Sequence, residues 1–558
     1  MDWTDKYNQT ETAIKANELI DTVVEEVHRA ALPVFGGLNQ EELALLIRFP
    51  VHVGTNLFLE RLLRVEQARA NRRSISYHSI NSPAGYFPNT VAAIQNYYYD
   101  PSISGQLIKE LAEVTGAPGS EITGTAIRPA LGPSGNLRLK LKAVIRTMLI
   151  RAKQQRVIRQ KPQIVGDDSQ WMRELFPAAQ ILSFDFTASA KGIDHDSRSK
   201  IKNCCQAVFQ QRIDAVLNNL SAGQKNRLAG VFANFIDHIL PVSLVEGLAD
   251  CFRYYGRLIQ DWDVKQVHSF TGYHYNENMK VFAILARRQG ALLVGQVHGA
   301  SNILASYKSI RNELAFLDYY FTWGKNNSDW LKGGVELPRL KLLNYGSTYL
   351  NALPKWEKSA INQDRITLLY PSGPLMEFMT DLEEISPEKN RAHRLRVLQY
   401  LKELRQRYPG MRILYKPFPG TFENDPIKEV FAQELKENIV ELVNQRPLNC
   451  YCQADVVLWD TISTGFAESV QSGVPTLVFH NEWEYKQATD QGQAIDRELT
   501  RAGIVFYDIE AGLKSFKRVV DDLDGFFAGG KKAIKEFQAE VAWPVSRQEF
   551  FEQAKAIL

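Results

Sequence analysis

Apolar positions recur every three to four residues over residues 10–31, and a second helix is expected over 39–49. Residues 71–96 and 115–133, rich in Ser, Asn, Pro and Gly, read as loops. In residues 138–161, from Arg138 to Lys161, the apolar Leu141, Val144, Ile145, Met148, Leu149 and Ala152 fall on one helical stripe. After Pro162 the pattern changes to short apolar runs alternating with helical stretches. Residues 163–166 and 180–184 read as strands, and residues 201–255 read as a helical insertion with a break at Ser221-Ala222-Gly223. Strands and helices resume at Asp263, with an apolar strand at 291–294. Residues 365–370, 412–415, 454–459 and 476–479 are runs short enough for buried parallel strands. Between them, Ser386-Pro387 opens a helix that Pro409-Gly410 stops, and Gly473-Val474-Pro475 ends another. The expected fold class is α/β. The expected domains are a mostly helical region over 1–161, a Rossmann-like domain with a helical insertion over 162–350, and a second Rossmann-like domain over 351–558, with the polar stretch 351–364 as linker.

Length and charge narrow the function classes. A chain of 558 residues holds more than one domain, and a net charge of +3 gives no global attraction to nucleic acid. The five cysteines, Cys204, Cys205, Cys251, Cys450 and Cys452, lack paired C-x-x-C spacing and read as free thiols of a reducing compartment. No secretory leader and no apolar run of about 18 residues is legible, so a cytoplasmic location is expected. Residues 138–161 carry nine basic residues and no acidic one. Such a helix either docks on the core with a solvated basic face or rests on an anionic membrane.

The candidate chemistry gathers where strands end. The strand at 454–459 runs into Asp460, then Thr461, Ser463, Thr464 and Gly465 at a helix start, with Glu468 one turn on. Hydroxyls and unpaired N–H groups at a helix N-terminus attract an anion such as phosphate, although Ser463 and Thr464 are equally suited to capping that helix. The strand at 365–370 enters Pro371-Ser372-Gly373-Pro374, and the strand at 412–415 enters Lys416-Pro417-Phe418-Pro419-Gly420. In an open α/β sheet the ligand crevice lies at the carboxyl ends of the strands, so these three loops are expected to converge.

The pattern S-T-G-F-x-E followed by G-V-P-T-L, with Ala502-Gly503-Ile504 downstream, resembles the C-terminal half of GT-B glycosyltransferases of bacterial surface-carbohydrate synthesis. More distantly it resembles the CDP-glycerol glycerophosphotransferases and the CMP-sugar-using Kdo and sialic acid transferases. Gln296-Val297-His298-Gly299 and Trp323-Gly324 are similar to a Q-H-G loop and W-G segment of that group, with Val297 separating the Gln from the His-Gly pair. The resemblance covers roughly residues 263–558. It implies two Rossmann-like domains facing a cleft, a nucleotide-sugar donor held by the second and a glycan or lipid-linked glycan acceptor at the first. A CMP-linked ulosonic acid is the preferred donor. A CDP-polyol phosphotransferase, a sugar-nucleotide 2-epimerase and a non-catalytic nucleotide-binding subunit are the alternatives.

Within that frame His298, after an apolar strand, is placed to take a proton from an acceptor hydroxyl. His268, with His274 and Glu277 nearby, is a second candidate. Asp167-Asp168 follows a strand and reads either as a helix cap or, through Asp168, as a base. Asp261-Trp262-Asp263 has D-x-D spacing but precedes its strand, and no metal is assigned. Expected donor contacts are Ser372, Gly373, Lys416, Pro417, Phe418, Asp460, Ser463, Thr464, Gly465 and Glu468. Phe418 stands where the Kdo and sialic acid relatives have His, which moves the phosphate role to Lys416. No resident cofactor is expected, because the nucleotide-sugar is a substrate.

Overall fold

The computed structural model describes residues 11–77, 101–121, 161–166, 193–215, 220–297, 299–300, 314–325, 337–357, 361–375, 387–418 and 425–554, with a few isolated positions between them. His298, Asp167, Asp168 and nearly all of 138–161 lie outside these residues. The chain forms two compact units. One comprises Met1–Gln296, Lys308–Tyr319 and Phe378–Glu384, and the other Val297–Tyr307, Tyr320–Glu377 and Ile385–Leu558.

The first unit begins with the helix Glu11–Ala31 and the long helix Gln40–Ala70. Asn39 starts the latter as a reciprocal cap: its side chain accepts from the Glu42 N–H, and Glu42 accepts from the Asn39 N–H. By length and composition Gln40–Ala70 would suffice to cross a membrane, but most of it is buried inside the protein. Helices apolar on all sides belong in a core, and here Phe58 meets Phe209 and Phe232 with ring centroids 5.2 and 5.1 Å apart. Those two rings lie on the helices His195–Arg212 and Ala222–Ile239. Ser221, expected as a break, caps the second of them. The strands of this unit include a short parallel pair, β1 (Ile75–Tyr77) and β2 (Gly119–Glu121), and a parallel set, β3 (Ile164–Gly166), β4 (Gln266–Ser269) and β5 (Leu292–Gln296). Val165 pairs with Val267, and Val267 with Leu293.

Strands β6 (Tyr319–Thr322) and β7 (Lys341–Asn344) follow. Residues 320–350 are hydrogen-bonded to the end of the chain. Ser347 N–H donates to the Trp543 carbonyl at 2.7 Å, Trp543 N–H to Trp323 at 2.8 Å and Lys325 N–H to Ala539 at 3.1 Å. Hydrogen bonds to so distant a segment leave no local mark in the sequence.

The second unit is built on six parallel strands: β8 (Thr367–Pro371), β9 (Arg412–Lys416), β10 (Val440–Leu442), β11 (Val456–Trp459), β12 (Thr476–Phe479) and β13 (Val505–Phe506). Every residue of β11 and β12 is buried, as continuous apolar strands covered on both faces require. The order across the sheet is β10-β9-β8-β11-β12-β13. Numbered from β8, this is the 3-2-1-4-5-6 order of doubly wound nucleotide-binding sheets, and it reverses between β8 and β11. Gly473, with φ of 82°, ends the helix Thr464–Ser472 in the left-handed conformation that lets the chain turn directly into β12.

Candidate functional site

The crevice of such a sheet opens outside the carboxyl ends of the two strands where the order reverses. In the second unit these ends are Pro371–Pro374 after β8 and Asp460–Thr464 after β11. They touch: the Gly373 N–H donates to Asp460 Oδ1 at 2.8 Å. The loop after β9 joins them, because the Phe418 N–H donates to Ser372 Oγ at 3.2 Å and the Ser372 N–H to the Lys416 carbonyl at 3.0 Å. The expected convergence of the three loops is therefore present.

A buried guanidinium holds this junction together. Arg394, on the helix Pro387–Arg407 and 1% exposed, donates to Asp425 at 2.7 Å, to the Gly373 carbonyl at 2.7 Å and to Tyr415 Oη at 3.2 Å. It also lies 3.1 Å from Asp460 Oδ2, which accepts from Tyr370 Oη at 2.9 Å. Both carboxylate oxygens of Asp460 thus have protein partners, and its backbone carbonyl meets His393 Nε2 at 3.1 Å. Asp460, one of the expected donor contacts, is a buried tie between loops. Ser372 is likewise buried and accepts from Tyr415 Oη at 3.2 Å.

The helix Thr464–Ser472 points its N-terminus at the junction. Ser463 is the N-cap residue, yet its hydroxyl makes no capping bond. The capping alternative left open by the sequence is not realised in this geometry, and the N–H groups of the first turn remain available to an anion. Thr464 Oγ1 accepts from the Ala300 N–H at 3.1 Å. Gly465 is fixed by packing, since a Cβ there would come 2.1 Å from the Trp459 indole. Trp459 in turn donates to Ser469 Oγ at 3.1 Å.

Lys416 and Phe418 belong to the loop that β9 brings to this junction. The Lys416 ammonium donates to the adjacent Pro417 carbonyl at 2.9 Å. Phe418 is 43% exposed, a large share for an aromatic ring. Glu468 is held by two phenols: Tyr349 Oη donates to Oε1 at 2.8 Å and Tyr451 Oη lies 3.3 Å from Oε2. Burial pushes the Glu468 carboxyl above its ordinary range, and the bonds from Tyr349 and Tyr451 pull it partly back.

In the first unit His268 is fully buried on β4, with Nε2 2.8 Å from Gln266 Oε1. Burial pushes its pKa down to about 3, so the imidazole is neutral throughout the physiological range. His268, a candidate catalytic residue, is thus a buried, neutral imidazole on β4. His274 packs against Phe49 with ring centroids 4.1 Å apart.

The sequence did not single out Arg394, Asp425, Tyr349 or Tyr451, nor a cluster behind the β11 turn. There His480 places Nδ1 2.6 Å from Asp496 and Nε2 3.2 Å from Glu484. The burial of His480 lowers its pKa, but hydrogen bonds to Asp496 and Glu484 outweigh that and raise it to about 9. The folded-state value lies above the unfolded value of ~6.5. This group's contribution to stability is therefore complete below about pH 6.5 and lost as pH rises through about 9. Thermal unfolding followed from pH 6 to pH 10 is expected to show a falling midpoint over the upper part of that range, with a shallower fall for His480→Gln.

The sequence model of the LIC12162 family transferases matches residues 51–546. No curated protein matches the chain. Among solved structures the chain is similar to the UDP co-structure of MnaA from S. aureus, at 13% identity and a TM-score of 0.33 over 54% of this chain and 76% of that one. It is also similar to the UDP-GlcNAc 2-epimerase from Neisseria meningitidis bound to UDP-GlcNAc, at 13% identity and a TM-score of 0.34 over 59% and 86% of the two chains. A third is the pneumococcal O-GlcNAc transferase GtfA in complex with UDP and GlcNAc, at 14% identity and a TM-score of 0.33 over 55% and 58%. Similarity at this level assigns no substrate or reaction to this chain.

Proposed function

The chain belongs to the LIC12162 transferase family, and from that premise we propose that it is a GT-B glycosyltransferase moving a sugar from a nucleotide donor to a surface-glycan acceptor. The observation that carries the reading is the junction of the β8, β9 and β11 loops at the strand-order reversal, with a helix N-terminus and Lys416 beside it. The donor phosphate sits at the start of Thr464–Ser472, against the first-turn N–H groups, the Ser463 hydroxyl and Lys416. Glu468 accepts from the ribose hydroxyls, and the exposed face of Phe418 receives the base.

In the reaction the acceptor oxygen forms a bond to the anomeric carbon while the bond from that carbon to the phosphate oxygen breaks. The electron pair leaves with the nucleotide, where the helix N-terminus and Lys416 stabilise the new charge. The acceptor proton goes to a general base, for which His298 is the proposed residue by its place in the sequence. A CMP-linked ulosonic acid remains the preferred donor, by the resemblance described above. Peripheral contact of residues 138–161 with an anionic membrane is proposed on their charge alone.

The test is incubation of the purified chain with CMP-, UDP- and GDP-sugars, with and without a lipid-linked glycan acceptor and a metal chelator, followed by chromatography of nucleotides and sugars. Release of nucleotide that requires acceptor and survives the chelator is expected. Conversion of one nucleotide-sugar into its epimer without acceptor would replace transfer with epimerisation.

A further inference from the structure

The turn that leads from β11 into the helix Thr464–Ser472 is held on a second side by polar groups that the donor reading does not use. Thr461 Oγ1 donates to Glu484 Oε2 at 2.7 Å. That same oxygen receives His480 Nε2 at 3.2 Å, while His480 Nδ1 meets Asp496 Oδ2 at 2.6 Å. The other Asp496 oxygen accepts from Tyr507 Oη at 2.5 Å and Thr500 Oγ1 at 3.3 Å. His480 and Asp496 are each 2% exposed, whereas the Glu484 side chain is 35% exposed. A buried, hydrogen-bonded pair therefore backs a carboxylate that reaches the turn. The row of contacts runs from the helix Asp490–Arg501 through the end of β12 to Thr461, one residue from Asp460 and two from the N-cap Ser463.

We propose that Glu484 is a positioning residue of the donor site: braced by His480, it fixes Thr461 and so sets the angle at which the first-turn N–H groups meet the donor phosphate. The inference rests on the donor reading above. Glu484 touches neither sugar nor phosphate in this arrangement and acts through the turn. An oriented donor set requires no rearrangement when the anion arrives, which is the benefit of preorganisation. The titratable groups facing His480 are Asp496 from the helix Asp490–Arg501, Glu484 from the helix Glu482–Gln487 that follows His480, Tyr507 beyond β13 and His393 from Pro387–Arg407. Its proton is held by the two carboxylates. Once that proton leaves at high pH, Glu484 and Asp496 lose the cation between them and the brace on Thr461 loosens.

The test is calorimetric titration of the full chain with UDP and with CMP from pH 6.5 to 9.5, using Thr461→Val, Thr461→Ser and Glu484→Gln. Thermal unfolding is measured on the same samples. For the unaltered chain, affinity is expected to fall across the upper half of that pH range. Thr461→Val is expected to bind about tenfold more weakly at pH 7, the loss of one hydrogen bond to a charged partner, with a flat pH profile. Thr461→Ser is expected to restore both affinity and profile. Glu484→Gln keeps an acceptor for Thr461 and is expected to bind at pH 7 but without the pH dependence. Native affinity and a native pH profile in both Thr461→Val and Glu484→Gln would overturn the inference while leaving the donor reading intact. Absence of nucleotide binding by the unaltered chain would remove the donor reading and the inference with it.

Discussion

Arg394→Met is expected to destabilise the second unit by about 3–5 kcal/mol, the cost of leaving buried charges without their partner. The guanidinium is 1% exposed and lies between Asp425 and Asp460, which are themselves 2% and 5% exposed. Methionine fills much of the volume but supplies no charge, so two carboxylates remain in a low-dielectric interior. The Gly373 carbonyl and Tyr415 Oη also lose a donor. Arg394→Lys is expected to recover only part of the loss. One ammonium cannot reach Asp425 on one side and the Gly373 carbonyl and Asp460 on the other in the way a planar fork does. Urea unfolding, followed by tryptophan fluorescence, measures the effect. A change below about 1 kcal/mol for Arg394→Met would mean that the loops at β8 and β11 are held by packing alone.

The second large effect is expected on binding. Lys416→Ala should lower nucleotide affinity by about tenfold to a hundredfold, corresponding to about 1.5–3 kcal/mol for hydrogen bonds to a charged group. Stability should change little. The ammonium's hydrogen bond goes to the neighbouring Pro417 carbonyl, and its stem lies at the edge of β9. Ser463→Ala, which removes a neutral hydroxyl with no capping role, is expected to have a smaller effect in the same direction. Calorimetry on both variants beside the unaltered chain gives the comparison. Equal affinity in Lys416→Ala and the unaltered chain would place the phosphate elsewhere.

Local pattern revealed those parts of the fold that are locally determined. The strand Thr476–Phe479 is legible to the residue, because Val474-Pro475 precedes a short β-forming run and a polar His480-Asn481 follows it. The strands Val440–Leu442 and Val505–Phe506 are too short to show a period, and their pairing depends on longer neighbours already in place. The three loops of the site were legible because each directly follows such a run. Their ties were not. Arg394 reaches Gly373 across 21 residues and Asp425 across 31, and in the sequence it is one of several arginines on a polar helix. Asp460 illustrates the limit from the other side: its place at a strand end is visible, but the choice between ligand and protein partner depends on Tyr370, Gly373 and Arg394 arriving together. His268 shows the same limit, since nothing local in Val267-His268-Ser269 says that the ring is fully buried. A sharper signal was available at His480, a histidine that directly follows a buried strand and shortly precedes Glu484.

The strand-order reversal in the second unit is proposed as a nucleotide site. Calorimetric titration of the purified chain with CMP, CDP, UDP and GDP, without added metal, tests it most directly. At least one of the four is expected to bind with Kd below about 1 mM, and Lys416→Ala is expected to weaken binding of that same ligand. CMP as the tightest of the four would support an ulosonic acid donor, and another nucleotide as the tightest would exclude that donor while keeping the site. No binding by any of the four, to a chain that unfolds cooperatively, would mean that the reversal is not a nucleotide site.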